Sequence, residues 1–310
     1  MTAPSAAPPP VSAMCVTPFD EGERLDEPAL RRVVDVLADA GVGIYLGSYG
    51  TGEGHLLRAD EIGPLYEIGV DAADGRVPVY AAALGFQATD DVVRLAERAL
   101  ACGVDAVQIH PPRPGPIAVQ PTRSELDRYY ADVLGAIRAP VILTNQVVMV
   151  GYALPLDLLE GLVATYDQVI AVNTSDRDPS TVAPMVDAAG RVPTYVGVIG
   201  QLVEGLRAGG AGTLCFEADV VPALCNAVVA AHRDGDADQR DRAFALVLRL
   251  NEVLARHQNP RSVKAALHHL GRLDSPTLRR PYLSLEPDAM REIGVVVDEV
   301  VAGSRHVDAR

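Results

Sequence analysis

The chain has 310 residues, of which 48% are hydrophobic, so it can bury a sizeable core as one large α/β domain or two smaller ones. Its net charge of −14 and pI near 4.9 argue against sequence-independent binding to nucleic acid or anionic membranes, because both need a basic surface. No run of about 18 apolar residues predicts a membrane span, and four cysteines without a CxxC pair indicate a reducing compartment, which we take to be the cytoplasm.

The start of the chain, MTAPSAAPPPVSA, has no basic region and carries prolines where a signal peptide needs an uninterrupted apolar stretch. We therefore expect residues 1–12 to be a disordered lead-in. Helical periodicity is found over 27–41, 59–73, 89–103 and 123–137. Eight short apolar strands are predicted at about 12–17, 42–47, 77–83, 105–110, 140–145, 168–173, 193–198 and 211–216.

Strands that are apolar throughout are buried on both faces, which favours a parallel sheet. Eight βα units in about 210 residues fit a closed (β/α)8 TIM barrel, with an open doubly wound sheet as the alternative. We predict the barrel over residues 13–225. The pattern then becomes helical, and residues 226–310 are predicted to form an appended C-terminal region of three helices.

The carboxyl ends of the strands are where such a barrel carries its reactive groups. Two of these ends are polar and uncharged: Thr144 and Asn145 end the fifth strand, and Asn173, Thr174 and Ser175 end the sixth. They predict a hydrogen-bonding floor for a polar ligand, or else a set of side chains that only satisfy one another and water. All strand-end positions together are Thr17, Ser48 to Glu53, Gly85, His110 to Pro114, Thr144-Asn145, Asn173 to Ser175, Gly197 to Gly200 and Cys215 to Glu217.

Two residues after the fourth strand carry further chemistry. His110 is a candidate general acid or base if its ring faces inward, and a structural histidine otherwise. Arg113 is a candidate clamp for a carboxylate or phosphate, and a solvated loop arginine otherwise. His268 and His269 are neighbours on a predicted helix and point about 100° apart, so we predict no metal site there.

Five stretches of the chain, taken together and in their order, are specific enough to indicate a protein family. They are VTPFDEGERLD (16–26), GIYLGSYGTGEGHLL (43–57), RVPVYAAALG (76–85), GGAGTLCFEADVVP (209–222), and NPRSVKAALHHLG (259–271) with LRRPYLSL (278–285). In this order they resemble the dihydrodipicolinate synthase and N-acetylneuraminate lyase family of Schiff-base aldolases. The resemblance implies the TIM barrel with three C-terminal helices, and a homo-oligomer, either a tetramer of two tight dimers or a dimer.

The chemistry that the resemblance implies needs a lysine at the end of the sixth strand and a tyrosine at the end of the fifth. PVILTN aligns with the family's PVILYN and puts Thr144 where the tyrosine belongs, whereas VIAVNTSD puts Asn173 where the lysine belongs. An amide is not a nucleophile toward a ketone, and a threonine hydroxyl does not titrate near neutrality. The one lysine of the chain, Lys264, falls in the C-terminal helical region, where the family's lysine is structural or on the surface.

The TGE loop of the family is altered as well. An ungapped alignment puts Gly50 at the first of the family's two hydroxyl-bearing residues and keeps Thr51 at the second. A one-residue insertion near Tyr49 is equally possible, and it leaves the roles of Ser48 and Tyr49 open. We predict these four residues, with Arg113, Asn145 and Thr174, to bind substrate. We predict Asn173, Thr144 and His110 to take part in catalysis.

The sequence thus predicts a family member that works without an imine and without a cofactor. One hypothesis is a repurposed lyase, hydratase or cyclase acting on a 2-oxo acid or a similar polar small molecule. The alternative is a catalytically inactive member that binds or senses a small molecule.

Overall fold

The eight predicted strands form a closed barrel in chain order in a computed structural model of the chain, in which residues 8–82, 88–113 and 120–305 are described. The pairings between neighbouring strands are parallel, as expected for strands that are apolar throughout. The prediction of a TIM barrel is confirmed. The strands are β1 (Val11–Met14), β2 (Gly43–Leu46), β3 (Val79–Ala81), β4 (Ala106–Ile109), β5 (Val141–Asn145), β6 (Val169–Thr174), β7 (Thr194–Val196) and β8 (Gly212–Cys215).

Helices follow the strands and continue beyond the barrel. They are α1 (Glu27–Asp39), α2 (Ile62–Ala73), α3 (Thr89–Ala101), α4 (Arg123–Ala136), α5 (Val147–Val150), α6 (Leu156–Thr165), α7 (Val182–Ala189), α8 (Leu202–Arg207), α9 (Glu217–Val220), α10 (Pro222–Arg233), α11 (Ala237–Arg256), α12 (Arg261–His269) and α13 (Pro287–Ser304). The four helices expected before the fifth strand are found within a few residues of their predicted bounds. Helices α6 to α8 were not predicted individually, because they are short and mostly apolar.

Two helix starts show why the sequence forms helices where it does. The Asp26 side chain accepts a hydrogen bond from the backbone N–H of Ala29 at 3.0 Å and caps α1. At α4, the Thr122 hydroxyl accepts from the N–H of Glu125, and the Glu125 carboxylate accepts from the N–H of Thr122 at 2.6 Å. Such caps satisfy backbone donors that a helix start leaves unpaired.

The chain divides into two compact units. One consists of Tyr80–Leu214 with Pro8, and it holds β4 to β7 and α3 to α8. The other consists of Pro9–Val79 and Cys215–Arg310, and it holds β1, β2, α1, α2 and α9 to α13. In the second unit α10 packs on α11, and α13 packs on both α11 and α12.

In the structure, secondary-structure elements run across both domain boundaries that the sequence suggested, at residues 12/13 and 225/226. Strand β1 already starts at Val11, so the end of the expected lead-in, residues 1–12, belongs to the fold. Pro8 is buried, and its carbonyl accepts a hydrogen bond from the Tyr195 hydroxyl. Residues 1–7 lie outside the described part of the chain. The expected boundary at 225/226 falls inside α10, because that helix begins directly after α9.

None of the helices in the described part of the chain has the length and apolar character needed to cross a membrane.

Candidate functional site

The ends of β5 and β6 bring the predicted polar residues together in two pairs. The strand register sets Thr144 beside Asn173 and Asn145 beside Thr174. Successive side chains of a strand point to opposite faces of the sheet, so the two pairs lie on opposite faces. All four side chains are buried.

The first pair belongs to a small neutral network. The Asn173 amide nitrogen donates to the Thr144 hydroxyl and to the Ser175 hydroxyl, both at 3.3 Å, and the Thr144 hydroxyl donates to the Gln146 side-chain oxygen at 2.9 Å. The amide oxygen of Asn173 has no hydrogen-bond partner among the described residues. The network can therefore accept a hydrogen bond from a polar group, but it holds no side chain that titrates near neutrality. Gln146 was not predicted, although it follows the strand directly.

Close backbone packing keeps Ser175 in place beside Asn173. A Cβ atom on Gly197 would lie 2.0 Å from the Ser175 hydroxyl oxygen. The N–H of Gly197, at the end of β7, also donates to the carbonyl of Thr174 at 2.7 Å. A side chain at position 197 would displace Ser175, so glycine is required there for the network to form.

The second pair holds the backbone that follows β5. The Asn145 amide nitrogen donates to the Thr174 hydroxyl at 3.3 Å, and its oxygen accepts from the N–H of Leu154 at 3.0 Å. Both ends of the amide are thus used within the protein. This geometry favours a supporting role for Asn145 and Thr174 rather than direct contact with a ligand.

His110 follows β4 in a buried position. Ile109 pairs with Leu143 of β5, so His110 and Thr144 are the next residues along two neighbouring strands. Burial lowers the pKa of His110 to about 4, so the ring is neutral at neutral pH. A base this weak relays protons poorly at pH 7, but a neutral imidazole can still donate or accept a hydrogen bond.

Arg113 lies at the end of the segment that His110 begins. Its side chain is exposed, and the segment before it is held by two tyrosines: Tyr129 donates to the carbonyl of His110 at 2.9 Å, and Tyr152 donates to the carbonyl of Pro112 at 2.6 Å. The strand-end candidates Gly85 and Pro114 fall outside the described residues.

The loop after β2, residues 47–54, belongs to the other unit and is held by hydrogen bonds between its backbone and side chains. The Ser48 hydroxyl accepts from the N–H of Gly52 at 2.9 Å, and the carbonyl of Gly52 accepts from the Thr17 hydroxyl at 2.6 Å. A Cβ atom on Gly54 would lie 2.0 Å from the carbonyl oxygen of Gly47, so only glycine fits there. The Thr51 hydroxyl accepts from the Asn259 amide at 2.6 Å.

Tyr49 and Gly50 face a cavity, and the Gly50 carbonyl also accepts a hydrogen bond from the N–H of Glu53 at 3.2 Å. His55 stacks on Tyr49 with 5.9 Å between the ring centres, and Tyr282 meets His55 edge-on at 6.2 Å. The cavity has a volume of about 200 Å³ and is lined by Tyr49, Gly50, Glu53, His55, Gln258, Asn259, Pro260, Arg261, Leu278 and Tyr282. Of the four loop residues predicted from the sequence, these two are the ones that contact it.

A buried ion pair fixes the end of this loop. Glu53 has a left-handed backbone conformation with φ of 50°, and its carboxylate accepts from the N–H of Arg279 and pairs with the Lys264 ammonium. Lys264 is 0% exposed and also donates to the carbonyl of Thr277 at 2.9 Å. Burial lowers its pKa to about 8, and Phe19 covers it with the ring centre 4.4 Å away. This lysine is part of the packing and cannot meet a ligand without local unfolding.

Two acidic side chains near the end of β8 are completely buried. Glu217 and Asp219, both in α9, are 0% exposed, and their carboxyl oxygens have no hydrogen-bond partner at normal geometry among the described residues. Burial raises the pKa of Glu217 to about 8 and that of Asp219 well above 3.8, although the nearby Arg272 partly offsets the latter. The Glu217 carboxyl is therefore a neutral acid at neutral pH. The sequence showed only that Glu217 is near a strand end, because burial of an acid depends on tertiary packing.

Within residues 8–82, 88–113 and 120–305, no three or more His, Cys, Asp or Glu side chains are grouped to hold a metal ion.

The chain is similar to known proteins over most of its length. A 4-hydroxy-tetrahydrodipicolinate synthase from Acidiphilium cryptum is 30% identical over 263 residues, which cover 83% of this chain and 86% of that protein. The corresponding enzyme from Methanopyrus kandleri is 28% identical over 280 residues, with 90% and 91% covered.

Solved structures agree with this similarity. A putative dihydrodipicolinate synthetase from Pseudomonas aeruginosa has a TM-score of 0.87 at 27% identity, and the match covers 96% of this chain and 100% of that one. A dihydrodipicolinate synthase from Bacillus anthracis shares the fold, with a TM-score of 0.87 at 23% identity and 96% and 99% covered. The sequence profile of the dihydrodipicolinate synthetase family matches residues 9–300. The chain therefore belongs to the dihydrodipicolinate synthetase family.

Proposed function

We propose that the protein is a repurposed enzyme of this family, a lyase, hydratase or cyclase, that acts on a 2-oxo acid or a similar polar small molecule without an imine intermediate. The observation that carries this proposal is that β6 ends on an amide side chain, while the one lysine of the chain is buried elsewhere. Strand β6 ends on the buried Asn173, whose amide oxygen has no partner among the described residues. The only lysine of the chain, Lys264, is buried in an ion pair in α12.

The roles that we assign at the ends of β4 to β6 follow from the chemistry of each group. Asn173 and Thr144 would orient the reacting group by hydrogen bonds, since an amide is not a nucleophile and the Thr144 hydroxyl donates its proton to the neutral Gln146 side chain instead of a base. His110 would act as a neutral hydrogen-bonding group, because its pKa is lowered to about 4 by burial. Arg113 is exposed and would attract the carboxylate. Asn145 and Thr174 would hold the first pair in place from the opposite face.

For the loop after β2 we propose a second set of contacts. Tyr49 and Gly50 line the cavity of that unit and can contact a small molecule directly. Ser48 keeps the loop closed, and Thr51 offers its hydroxyl. The choice of a 2-oxo acid draws on the family, because one structural neighbour, a prophage protein from Escherichia coli K12, was solved in complex with pyruvate. We also propose that the protein forms a homo-oligomer, a tetramer or a dimer.

Reduction with borohydride in the presence of pyruvate is expected to leave the protein mass unchanged. An imine needs an accessible, unprotonated amine, and Lys264 is 0% exposed with its ammonium bound to Glu53 and to the carbonyl of Thr277. Intact mass spectrometry after reduction is the measurement. A mass increase that disappears in Lys264→Arg would overturn the imine-free part of the proposal.

Replacing Asn173 by alanine is expected to lower turnover at least about tenfold while the protein stays folded, since a hydrogen bond to a reacting group is worth roughly 1.4 kcal/mol or more. The substrate is found first by screening 2-oxo acids, sugar acids and related metabolites for product formation by NMR. Asn226→Ala is the matched control. Asn226 also donates a hydrogen bond, to the carbonyl of Ala40, but both residues belong to the unit that does not contain Asn173. Equal turnover in Asn173→Ala and wild type would contradict the proposed role.

The second candidate function is a protein that binds a small molecule without converting it. It is favoured by the neutral network at the ends of β5 and β6, which contains no side chain that titrates near neutrality. A thermal-shift screen separates the two: a ligand at about 100 times its Kd stabilises the fold by about 2.7 kcal/mol. Selective stabilisation without product from any stabilising compound would favour the binding protein.

A further inference from the structure

Aromatic rings form much of the wall of the cavity that Tyr49 and Gly50 face. Tyr49 and His55 lie nearly parallel, with 13° between their ring planes, and the Tyr282 ring meets that of His55 at 73°. The Tyr282 side chain is 41% exposed although it is large and mostly apolar. Leu278 adds apolar surface to the same cavity. Such a wall favours a flat ring as ligand, because aromatic rings pack on one another offset or edge to face.

One arginine of the cavity wall is held in place by uncharged groups. The Arg261 Nε donates to the carbonyl of Leu283 at 3.0 Å, and a terminal nitrogen donates to the Gln258 side-chain oxygen at 3.3 Å. The guanidinium also lies over the Tyr282 ring, 5.8 Å from the ring centre. A guanidinium carries more N–H donors than these contacts use, so Arg261 keeps donors for a ligand.

The positive charge of Arg261 is not balanced by the protein around it. No carboxylate among the described residues pairs with this half-buried side chain. Glu53, the acidic residue of the cavity lining, is paired with the buried Lys264 ammonium instead. A guanidinium that is oriented by neutral partners is a strong site for a carboxylate, because it offers paired donors and stays charged at neutral pH.

We propose that this cavity binds an aromatic carboxylate, with its ring against the Tyr49, His55 and Tyr282 side chains. Arg261 holds the carboxylate. An apolar cavity of roughly 150 Å³ is enough for benzene, so the volume of about 200 Å³ leaves room for a ring that carries a carboxylate. The inference rests on the proposed contacts of Tyr49 and Gly50 and deepens them, since it names the class of compound and the residue that binds its charge.

The test measures the Kd of benzoate for the full-length protein by ligand-observed NMR, with two analogues for comparison. Benzamide keeps the ring and loses the charge, and it should bind about tenfold more weakly. Cyclohexanecarboxylate keeps the charge and loses the aromatic ring, and it should bind a few-fold more weakly. Absence of benzoate binding, or equal Kd values for benzoate and benzamide, would overturn the inference.

Replacing Arg261 by glutamine assigns the charge effect to one residue. Arg261→Gln should weaken benzoate binding about tenfold and leave benzamide binding nearly unchanged, so that the preference for benzoate is lost. Arg207→Gln is the matched control, because it removes an exposed arginine at the end of α8, in the other unit. If benzoate binds Arg261→Gln as tightly as it binds wild type, the carboxylate is held elsewhere and the proposal is wrong.

A second pair of variants tests the ring contact and does not depend on the folding of Arg261→Gln. Tyr282→Leu should weaken the binding of benzoate and benzamide by a similar factor of a few, because both lose an aromatic neighbour. Tyr282→Phe keeps the ring and should bind both compounds like wild type. Equal Kd values for benzoate in Tyr282→Leu and Tyr282→Phe would overturn the aromatic part of the inference.

Binding and turnover together separate this inference from the proposed function. Benzoate binding that depends on Arg261, in a protein that converts no compound, would support the cavity site and count against the proposed enzyme. Turnover that depends on Asn173, in a protein that does not bind benzoate, would overturn the cavity site and leave the proposed enzyme standing.

Discussion

Replacing Glu217 by glutamine is expected to flatten the dependence of stability on pH by about 1.4 kcal/mol per pH unit between about pH 4.5 and pH 8. The folded protein keeps the Glu217 carboxyl protonated up to about pH 8, because the side chain is completely buried. In the unfolded chain the same group ionises near pH 4.5. Across this window the folded state binds one more proton than the unfolded state, so the wild-type protein loses stability as the pH rises.

The full effect over the window is large. Integrated from pH 4.5 to about 8, one such group removes up to about 5 kcal/mol of the free energy of unfolding, which is comparable with the net stability of many domains. Asp219 acts with the same sign, because its pKa is also raised by burial. Some dependence on pH should therefore remain in the variant.

The measurement is the free energy of unfolding of wild type and Glu217→Gln, obtained from urea-induced unfolding at about pH 5, 6, 7 and 8. Only the difference between the two proteins isolates Glu217, because His110 contributes with the opposite sign. Its pKa is lowered to about 4, so the unfolded chain binds more protons below pH 6.5. Glu160→Gln, an exposed glutamate on α6, serves as control. Parallel pH profiles for wild type and Glu217→Gln would contradict the prediction.

The barrel could be predicted from the sequence because its signals are local and repeated. Each strand is a short apolar run, such as PVIL before Thr144 and Asn145, and the first helices show clear amphipathic periodicity. Helices α7 and α8 were not predicted from the sequence, because they are short and mostly apolar and lack the polar face by which an amphipathic helix is recognised. The fold thus followed from patterns that lie within a few residues of one another.

The site could be predicted only in part, because its geometry depends on which way each side chain points. The sequence placed Thr144, Asn145, Asn173 and Thr174 at two strand ends, and the register confirms their adjacency. It did not show which face of the sheet each pair occupies, because strands buried on both sides show no alternation. Buried contacts between distant segments were beyond prediction as well: the partner of Glu53 is Lys264, more than two hundred residues away.

Replacing Lys264 by methionine is expected to destabilise the protein by about 3–5 kcal/mol. The change leaves the Glu53 carboxylate buried at 1% exposure without its cationic partner. An uncompensated buried charge costs more than the ion pair contributes, since its desolvation is no longer offset. Glu53→Gln should also destabilise, because it leaves the Lys264 ammonium with only the carbonyl of Thr277 and the Phe19 ring.

The double variant decides whether the pair acts as a unit. With both charges removed, Lys264→Met with Glu53→Gln should lose clearly less than the sum of the single changes, by about 2 kcal/mol or more. Guanidinium-induced unfolding of the four proteins at pH 7 gives this coupling energy. The exposed pair Arg249 and Glu299, 3.4 Å apart, is the control, and Arg249→Met should cost less than about 1 kcal/mol.

The same cycle shows what holds the loop after β2. Glu53 adopts a left-handed conformation that an ordinary side chain avoids, and its contacts to Lys264 and to the N–H of Arg279 keep it there. If the loss in Lys264→Met matches that in Arg249→Met, or if the two single losses simply add, the loop is held by its glycines and backbone alone. A strong coupling instead means that the C-terminal helices set the conformation of residues 47–54, and with it the position of Thr51.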